Sequence, residues 1–475
     1  MDRAEAEAIY DAGRKTCVEV LLALAAQVER LEGRVERLEE ELRELRRNSD
    51  NSSVPPSADP GAGKRRHQGG QGKRSGRPPG GQPGHPGSGR GLVPIERVDE
   101  VVEHLPERCS SCGHSLAAQP ARGPIHRHRV VELPEIAVKV SEHRLRRRRC
   151  PGCGALTQAE LPVDAPRGRF GPRLCAAIAT LTAGFRLSRR QIAELCSELF
   201  GCEVSVGTVD AILARTGTAL AEPQKRLGEA VRGADALCVD ETGWKEGGEK
   251  RALWGAFTER AALLRIAAGR HRDHAEALLA ESKAIVSSDR WWAYEHLDPS
   301  RRQLCWSHLL RDFRFHAEGL AHQREFGEAG LRIAERVFEA WHEFGAEVDR
   351  RRLRRRIDPL KRELRELCER AARKSAKTRY HRGFARNLLK AWPALWTFVE
   401  HEGVEPTNNA AERGLRHAVI YRKLSQGSRS KEGGRATERL LSAAITCRLQ
   451  GRSLFAYLSQ VTAASIRGQP VPALT

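Results

Sequence analysis

The segment from Ala236 to Gly319 constrains the fold more than any other part of the chain. "ALCVDETGW" reads as a short apolar strand ending at Asp240, and "RALWGAFTE" and "ALLRIAAG" follow as two more strands. "DHAEALLAES" is a helix, "AIVSSDR" a strand ending at Asp289, "WWAYEHL" helical, "RRQLCWSH" a fifth strand and "LLRDFRFHAEG" helical again. A three-strand meander followed by strand–helix alternation requires parallel strands in its second half. In that order the first and fourth strands can lie side by side. Asp240 and Asp289 then emerge at one carboxyl-end edge, the usual ligand position of such sheets.

Two carboxylates on adjacent rigid strands repel each other unless a cation neutralises them. Hard oxygen donors suit Mg²⁺ or Mn²⁺. Two such ions about 3.5–4 Å apart clamp the attacking and leaving oxygens in phosphoryl transfer. A third carboxylate must then come from an element packed beside the sheet. Either Asp alone is more simply a turn residue or a helix cap; their joint placement favours the metal site. Glu241 is a neighbouring rival to Asp240, with its side chain expected on the opposite face.

"EPTNNAAERGLRHAVIYRK", from Glu405 to Lys423, carries the third candidate, Glu412. With Asn409 as N-cap, Glu412 falls at the third helical position, where a carboxylate can cap backwards. Arg416 lies one turn on and can pair with it. The helix dipole favours the ionised form that a metal ligand needs. Arg413 and Arg416 are candidate contacts to DNA phosphates.

The chain has 475 residues, enough for three or four units. Lys and Arg number 81 against 61 Asp and Glu, a formal charge of +20, which points to a polyanion and most simply to double-stranded DNA. No apolar run approaches the roughly 18–20 residues that span a bilayer. The N-terminus, "MDRAEAEAIY", has no signal-peptide pattern. The twelve cysteines do not form a secreted disulfide framework, and most sit singly in apolar surroundings, as at Cys175, Cys238 and Cys447. A cytoplasmic, nucleoid-associated protein with no membrane partner is expected.

Upstream, Leu21, Leu24, Val28, Leu31, Val35, Leu38, Leu42 and Leu45 alternate spacings of three and four, a coiled-coil stripe over residues 1–47 that would pair two copies of the chain. Residues 48–95 are a Gly-, Pro- and Arg-rich linker with almost no apolar content, expected to be disordered when free and to neutralise phosphates. Cys109 and Cys112, then Cys150 and Cys153, are two CxxC knuckles that together suit one structural Zn²⁺. The intervening "HRVVELPEIAVKVSEHRLRRRRC" reads as two strands turning at Pro134, which makes residues 96–165 a zinc ribbon. Beside it, Arg146, Arg147, Arg148 and Arg149 suit phosphate contact. Residues 166–230 are helical and resemble a helix-turn-helix: Ser188 and Ser205 cap its two helices, and Arg189 and Arg190 are DNA candidates. A plain helical hairpin fits that segment nearly as well.

"NSSVPPS", "GGQPGHPG", the two CxxC knuckles, "VDETGW", "VSSDRWWAY", "CWSHLLRDF" and "PTNNAAERGLR" stand in an order that resembles the insertion-sequence sixty-six family of transposases. Val54 departs from the lysine common at its position, with no bearing on chemistry. The resemblance implies a multidomain α+β chain with an RNase H-like catalytic core and a DDE triad at Asp240, Asp289 and Glu412, served by Mg²⁺ or Mn²⁺. It implies cleavage at the ends of a mobile element and strand transfer into target DNA, with other proteins of the element as possible partners. The core would run over residues 231–316 and 405–450, interrupted by a helical insertion at 317–404 and followed by a tail at 451–475. His308, paired with Cys305 as C-x-x-H, is a candidate DNA contact, and Cys305 a packing residue. Two rival readings remain: a DNA-binding regulator without catalysis, and a nuclease without strand transfer.

Overall fold

The computed structural model describes residues 3–48, 51, 94–344, 348–375 and 378–475. The chain divides into two compact units, residues 65–138 and the remainder. Most of the expected linker, residues 52–93, lies outside the described residues. The fold is mixed α and β, and among the described residues no helix is long and apolar enough to cross a membrane.

In the larger unit the chain starts with α1 (Arg3–Asp11) and α2 (Arg14–Leu45), and the 3–4 spaced leucine and valine stripe of α2 is exposed along its length. The end of α2 is tied to the helical insertion. Tyr380 Oη donates to Glu39 at 2.7 Å, and Arg46 donates to the Glu318 and Gly319 carbonyls at 3.0 and 3.1 Å. Buried Asn51 donates to Glu318 at 2.9 Å.

The smaller unit holds the first knuckle, where Cys109 N–H donates to the His114 carbonyl and Gly113 N–H to the Cys109 carbonyl. The second knuckle, in the larger unit, repeats this closure with Cys150, Ala155 and Gly154. It joins β1 (Arg147–Arg149) to β2 (Leu156–Gln158), which pair antiparallel. The hairpin expected to turn at Pro134 is not formed. Val130, Val131, Leu133 and Val140 are exposed outside any strand, and the short strands flank the second knuckle instead. Pro134 contributes no ladder donor, whereas the tight Cys150–Gly154 turn holds β1 and β2 in register.

Four helices follow: α3 (Pro172–Ala183), α4 (Arg189–Phe200), α5 (Val206–Ala219) and α6 (Ala221–Arg232). Ser188 and Gln191 form a reciprocal capping box, Gly201 closes α4 in the left-handed region, and Ser205 caps α5. Ile192, Val209 and Ile212 share one hydrophobic core with Leu237, Val239 and Val286 of the sheet, so this bundle is not a detached module.

The sheet contains β3 (Ala236–Glu246), β4 (Glu249–Phe257), β5 (Ala262–Ala267), β6 (Ile285–Ser288) and β7 (Arg302–Leu304), in the spatial order β5-β4-β3-β6-β7. β3 pairs in parallel with β6, and β6 with β7, while β3, β4 and β5 form the antiparallel meander. α7 (Arg272–Leu279) precedes β6, and α8 (Trp306–Ala317) follows β7. Three boundaries differ from those expected. β3 does not end at Asp240 but runs on to Glu246, because its antiparallel ladder with β4 continues to a Gly247–Gly248 turn with φ of 59° and 89°. "WWAYEHL" keeps only a short 3₁₀ turn at Trp292–Tyr294. The fifth strand stops at Leu304, so Trp306 to His308 begin α8.

The insertion is helical: α9 (Ala321–His342), α10 (Arg350–Ala372), α11 (Arg382–Lys390) and α12 (Thr397–Glu400). Its core includes Trp306, Leu309 and Phe313 of α8, and Trp396 is buried against Trp306 with ring centroids 5.1 Å apart. α13 (Asn409–Ser425) and α14 (Lys431–Leu449) then return to the sheet, burying Leu415 and Ile445 with Leu253 and Phe257. Residues 451–475 are not a loose tail. They form α15 (Leu454–Ile466), which buries Tyr457, Leu458 and Val461 in the bundle core, with Thr462 donating to the Pro172 carbonyl at 2.9 Å.

Candidate active site

Asp240 lies two residues beyond the last parallel pair of β3 and β6, Cys238↔Ser287. Asp289 is the residue after β6. Both therefore stand where the parallel ladder opens. Glu412 stands in the first turn of α13. Burial, then the neighbouring carboxylates of Glu241, Asp289 and Glu412, push the Asp240 carboxyl well above the usual carboxylate range. Glu241 and Asp289 are the larger of these carboxylate influences on Asp240, and Glu412 the smallest. Burial also raises Asp289, against the Trp291 N–H, which donates to its Oδ1 at 2.9 Å, and against Arg302, Arg290 and Arg270.

The start of α13 is aimed by Asn408 rather than by the expected Asn409. Asn408 is the N-cap residue and 1% exposed, and its side-chain amide donates to the Val239 carbonyl at 2.7 Å, beside Asp240. Its backbone N–H donates to Cys305 Sγ at 3.1 Å, and Trp306 N–H donates to the Pro406 carbonyl at 2.9 Å. The starts of α8 and α13 are thus tied to each other and to β3. The helix begins at Asn409, so Glu412 is at the fourth helical position, and Asn408 forms no side-chain cap. The Glu412 carboxylate points to α8: His308 Nδ1 lies 3.7 Å and Arg311 3.8 Å from Oε1.

His308, expected at a DNA strand, is only 14% exposed. Burial and then the Arg311 and Arg290 guanidinium groups push the pKa of its imidazole down to about 3. Cys305 is fully buried and packs as expected. Glu241 accepts the Tyr294 hydroxyl at 2.7 Å, and burial with nearby Asp289 raises it to about 7. Arg189 is half-buried and committed to Asp210 at 2.8 Å and Tyr421 at 3.3 Å. Arg190, Arg413 and Arg416 are exposed, as are Arg146 to Arg149, of which Arg147 donates to Gln158 and Arg149 to the Gly154 carbonyl. On the insertion, Arg352 and Arg356 pair with Glu343, Arg336 with Glu363 and Arg354 with Glu400, so much of its arginine charge is neutralised within the protein.

Two supports carried no motif that sequence reasoning could weigh. Buried Arg302 donates to Ser288 Oγ at 3.0 Å, the Asp289 carbonyl at 2.7 Å and the Tyr294 carbonyl at 3.0 Å, fixing the loop that holds Asp289. Arg290 grips Asp312 of α8 at 2.7–2.8 Å. A basic residue inside an apolar strand was the available signal for Arg302. Arg302→Met leaves three acceptors without their donor and is expected to cost about 3 kcal/mol or more in urea unfolding.

The cysteine knuckles have thiol chemistry suited to a metal. Backbone N–H groups of Cys112 and Ser111 beside the Cys109 sulfur, and of Cys153 and Gly152 beside Cys150, hold both thiols below their usual range.

A sheet with an antiparallel meander and a parallel half, with Asp240 and Asp289 where the parallel ladder of β3 and β6 opens, defines a class of mixed α/β protein. Within that class the chain belongs to the Transposase IS66 family, which it matches over residues 167–436. That match takes in the α3–α6 bundle, the sheet, the insertion and most of the returning α13–α14 segment. Residues 2–91 match a family of unknown function. A protein of Sinorhizobium fredii, described as "Uncharacterized protein y4hP", is 26% identical over 421 residues, covering 80% of this chain and 74% of its own.

Proposed function

We propose that the chain is a DDE transposase with an RNase H-like core, which hydrolyses phosphodiesters at the ends of an insertion sequence and joins the freed ends to target DNA. The observation that carries this is the placement of Asp240 on β3 just past its parallel ladder with β6 and of Asp289 just after β6, with both carboxyls raised and Glu412 among the charges acting on Asp240. The donors fit a hard divalent ion: they are carboxylate oxygens, and Glu412 Oε1 is buried without a hydrogen-bond partner. Asp240, Asp289 and Glu412 would hold Mg²⁺ or Mn²⁺. When bound, such ions activate water and stabilise the attacking and leaving oxygens of an in-line displacement.

The protein's part is placement. Arg302 and the Trp291 N–H fix Asp289, Asn408 fixes the start of the helix bearing Glu412, and β3 fixes Asp240. Exposed Arg413 and Arg416 on α13, with Arg190, supply phosphate contacts flanking the cluster. The test is a strand-transfer assay with element-end DNA and Mg²⁺. Joined product, lost in Asp289→Asn, is expected. Cleavage without joining favours the nuclease, and end binding with no cleavage in Mg²⁺ or Mn²⁺ favours the regulator.

Two element ends must be brought together, and the exposed stripe of α2 is suited to pairing two chains. Replacing Leu31 and Leu38 together by Lys is expected to convert the dimer to monomer in sedimentation equilibrium without lowering the melting temperature. The cysteine knuckles are proposed to bind structural zinc. Metal analysis should give one zinc per chain, and Cys150→Ser with Cys153→Ser should remove it.

A further inference from the structure

The Glu412 end of the cluster contains a donor that the three carboxylates do not account for. His308 Nδ1 and Glu412 Oε1 stand 3.7 Å apart, and each is buried without a hydrogen-bond partner. At that separation they do not bond to each other. The nearest guanidinium nitrogen of Arg311, 3.8 Å from the same oxygen, does not bond to it either. The spacing is set by backbone, through Asn408 N–H on Cys305 Sγ and Trp306 N–H on the Pro406 carbonyl. Ligands lying about 2.0–2.2 Å from one ion can stand this far apart. The ligand atoms of Cys305, His308 and Glu412 all lie within 4.8 Å of one another.

We propose that His308 Nδ1 is a metal donor, sharing with Glu412 the divalent ion at the α8–α13 side of the site. This rests on the two-ion reading above and deepens it. His308 stands in the first turn of α8, and Glu412 in the first turn of α13, so both donors project from helix starts locked together by the Asn408 and Trp306 bonds. Cys305 is the positioning group of the three. Its sulfur accepts the Asn408 N–H and sits beneath the junction, fully buried. A shell mixing imidazole nitrogen with carboxylate oxygen favours Mn²⁺ or Co²⁺ over Mg²⁺, because nitrogen donors gain more from the later transition ions. The ion at this end is therefore expected to be a manganese-preferring one, unlike an all-carboxylate shell.

The probe is Mn²⁺ alone, added to the full-length chain and read by pulsed electron paramagnetic resonance and by equilibrium binding. Nitrogen modulation from a coordinated imidazole is expected in the wild type. His308→Ala and Glu412→Gln should abolish it. His308→Asp, which offers an oxygen donor in place of nitrogen, should retain the bound Mn²⁺ while losing the nitrogen signal. A phosphate-contacting or purely structural histidine would not be replaced by Asp in this way. Absence of nitrogen modulation in the wild type, or its persistence in His308→Ala, overturns the proposal. If that happens while Asp240→Asn and Asp289→Asn still lower the Mn²⁺ stoichiometry, the carboxylate site stands without His308. If those two variants leave Mn²⁺ binding unchanged, the carboxylate reading itself fails, and the proposal with it.

Discussion

Asp240→Asn is expected to lower metal-dependent cleavage by at least about 1000-fold, since removing a ligand forfeits several kcal/mol of transition-state charge stabilisation and each 1.36 kcal/mol is tenfold in rate. The same substitution should raise the melting temperature of the metal-free chain by about 2 °C or more. The two effects have one cause. Asp240 is pushed well above its usual range by burial and by Glu241, Asp289 and Glu412, so its charge opposes folding whenever no cation is bound. The amide keeps the shape and removes one of the crowded charges. A nicking assay in Mg²⁺ and a thermal melt in a chelator measure the two halves. A residue serving only as a turn or cap would lose stability on substitution and keep its activity.

Gly327→Ala should be among the most destabilising single changes in the chain, costing about 3 kcal/mol or more, at the upper end for overpacking. A Cβ at Gly327 would stand 2.1 Å from the backbone nitrogen of Ala317, the last residue of α8, and 2.6 Å from its Cα. One turn along, a Cβ at Gly330 would run into the buried Phe313 ring at 2.0 Å. Backbone cannot give way as a flexible side chain can, so α8 must move off α9. Cleavage should fall with stability, because α8 carries His308, Arg311 and Asp312 into the site. Gly383→Ala is the control. Nothing lies within 4 Å of a Cβ there, and alanine in α11 is expected to be neutral or stabilising by up to about 1 kcal/mol. Urea unfolding of both variants measures the contrast.

The sheet order was readable because its elements alternate with a period that admits few alternatives. A meander followed by strand–helix alternation let the first and fourth strands lie side by side in parallel, as β3 and β6 do. Element ends were less legible. Asp240 looks terminal because the apolar run stops there, yet β3 continues through Thr242 and Trp244, carried by its ladder with β4. A strand's length depends on its partner, and the partner is not in the local pattern. The same reason removes the hairpin expected to turn at Pro134, since Val130, Val131, Ile136, Val138 and Val140 find no ladder.

Within the site, the residue types that carry chemistry were visible, and the residues that hold them were not. Asn408 and Asn409 are equivalent caps by sequence. Only the Val239 carbonyl and the Cys305 sulfur, 169 and 103 residues away, distinguish Asn408. Arg302 reads as one basic residue in an arginine-rich chain, and only burial turns it into the support of Asp289. His308 was expected to contact DNA as part of the C-x-x-H pair, whereas α8 starts two residues before it and brings its Nδ1 to 3.7 Å from Glu412.

The central claim is that Asp240, Asp289 and Glu412 ligate the catalytic metal, and a change of metal preference tests it most directly. Asp240→Cys and Asp289→Cys exchange a hard oxygen for a thiolate, which Mg²⁺ tolerates poorly and Mn²⁺ accepts better. End cleavage by each variant should be lost in Mg²⁺ and recovered in Mn²⁺, with the wild type active in both. Cleavage at the wild-type level in Mg²⁺ by either cysteine variant would contradict the account.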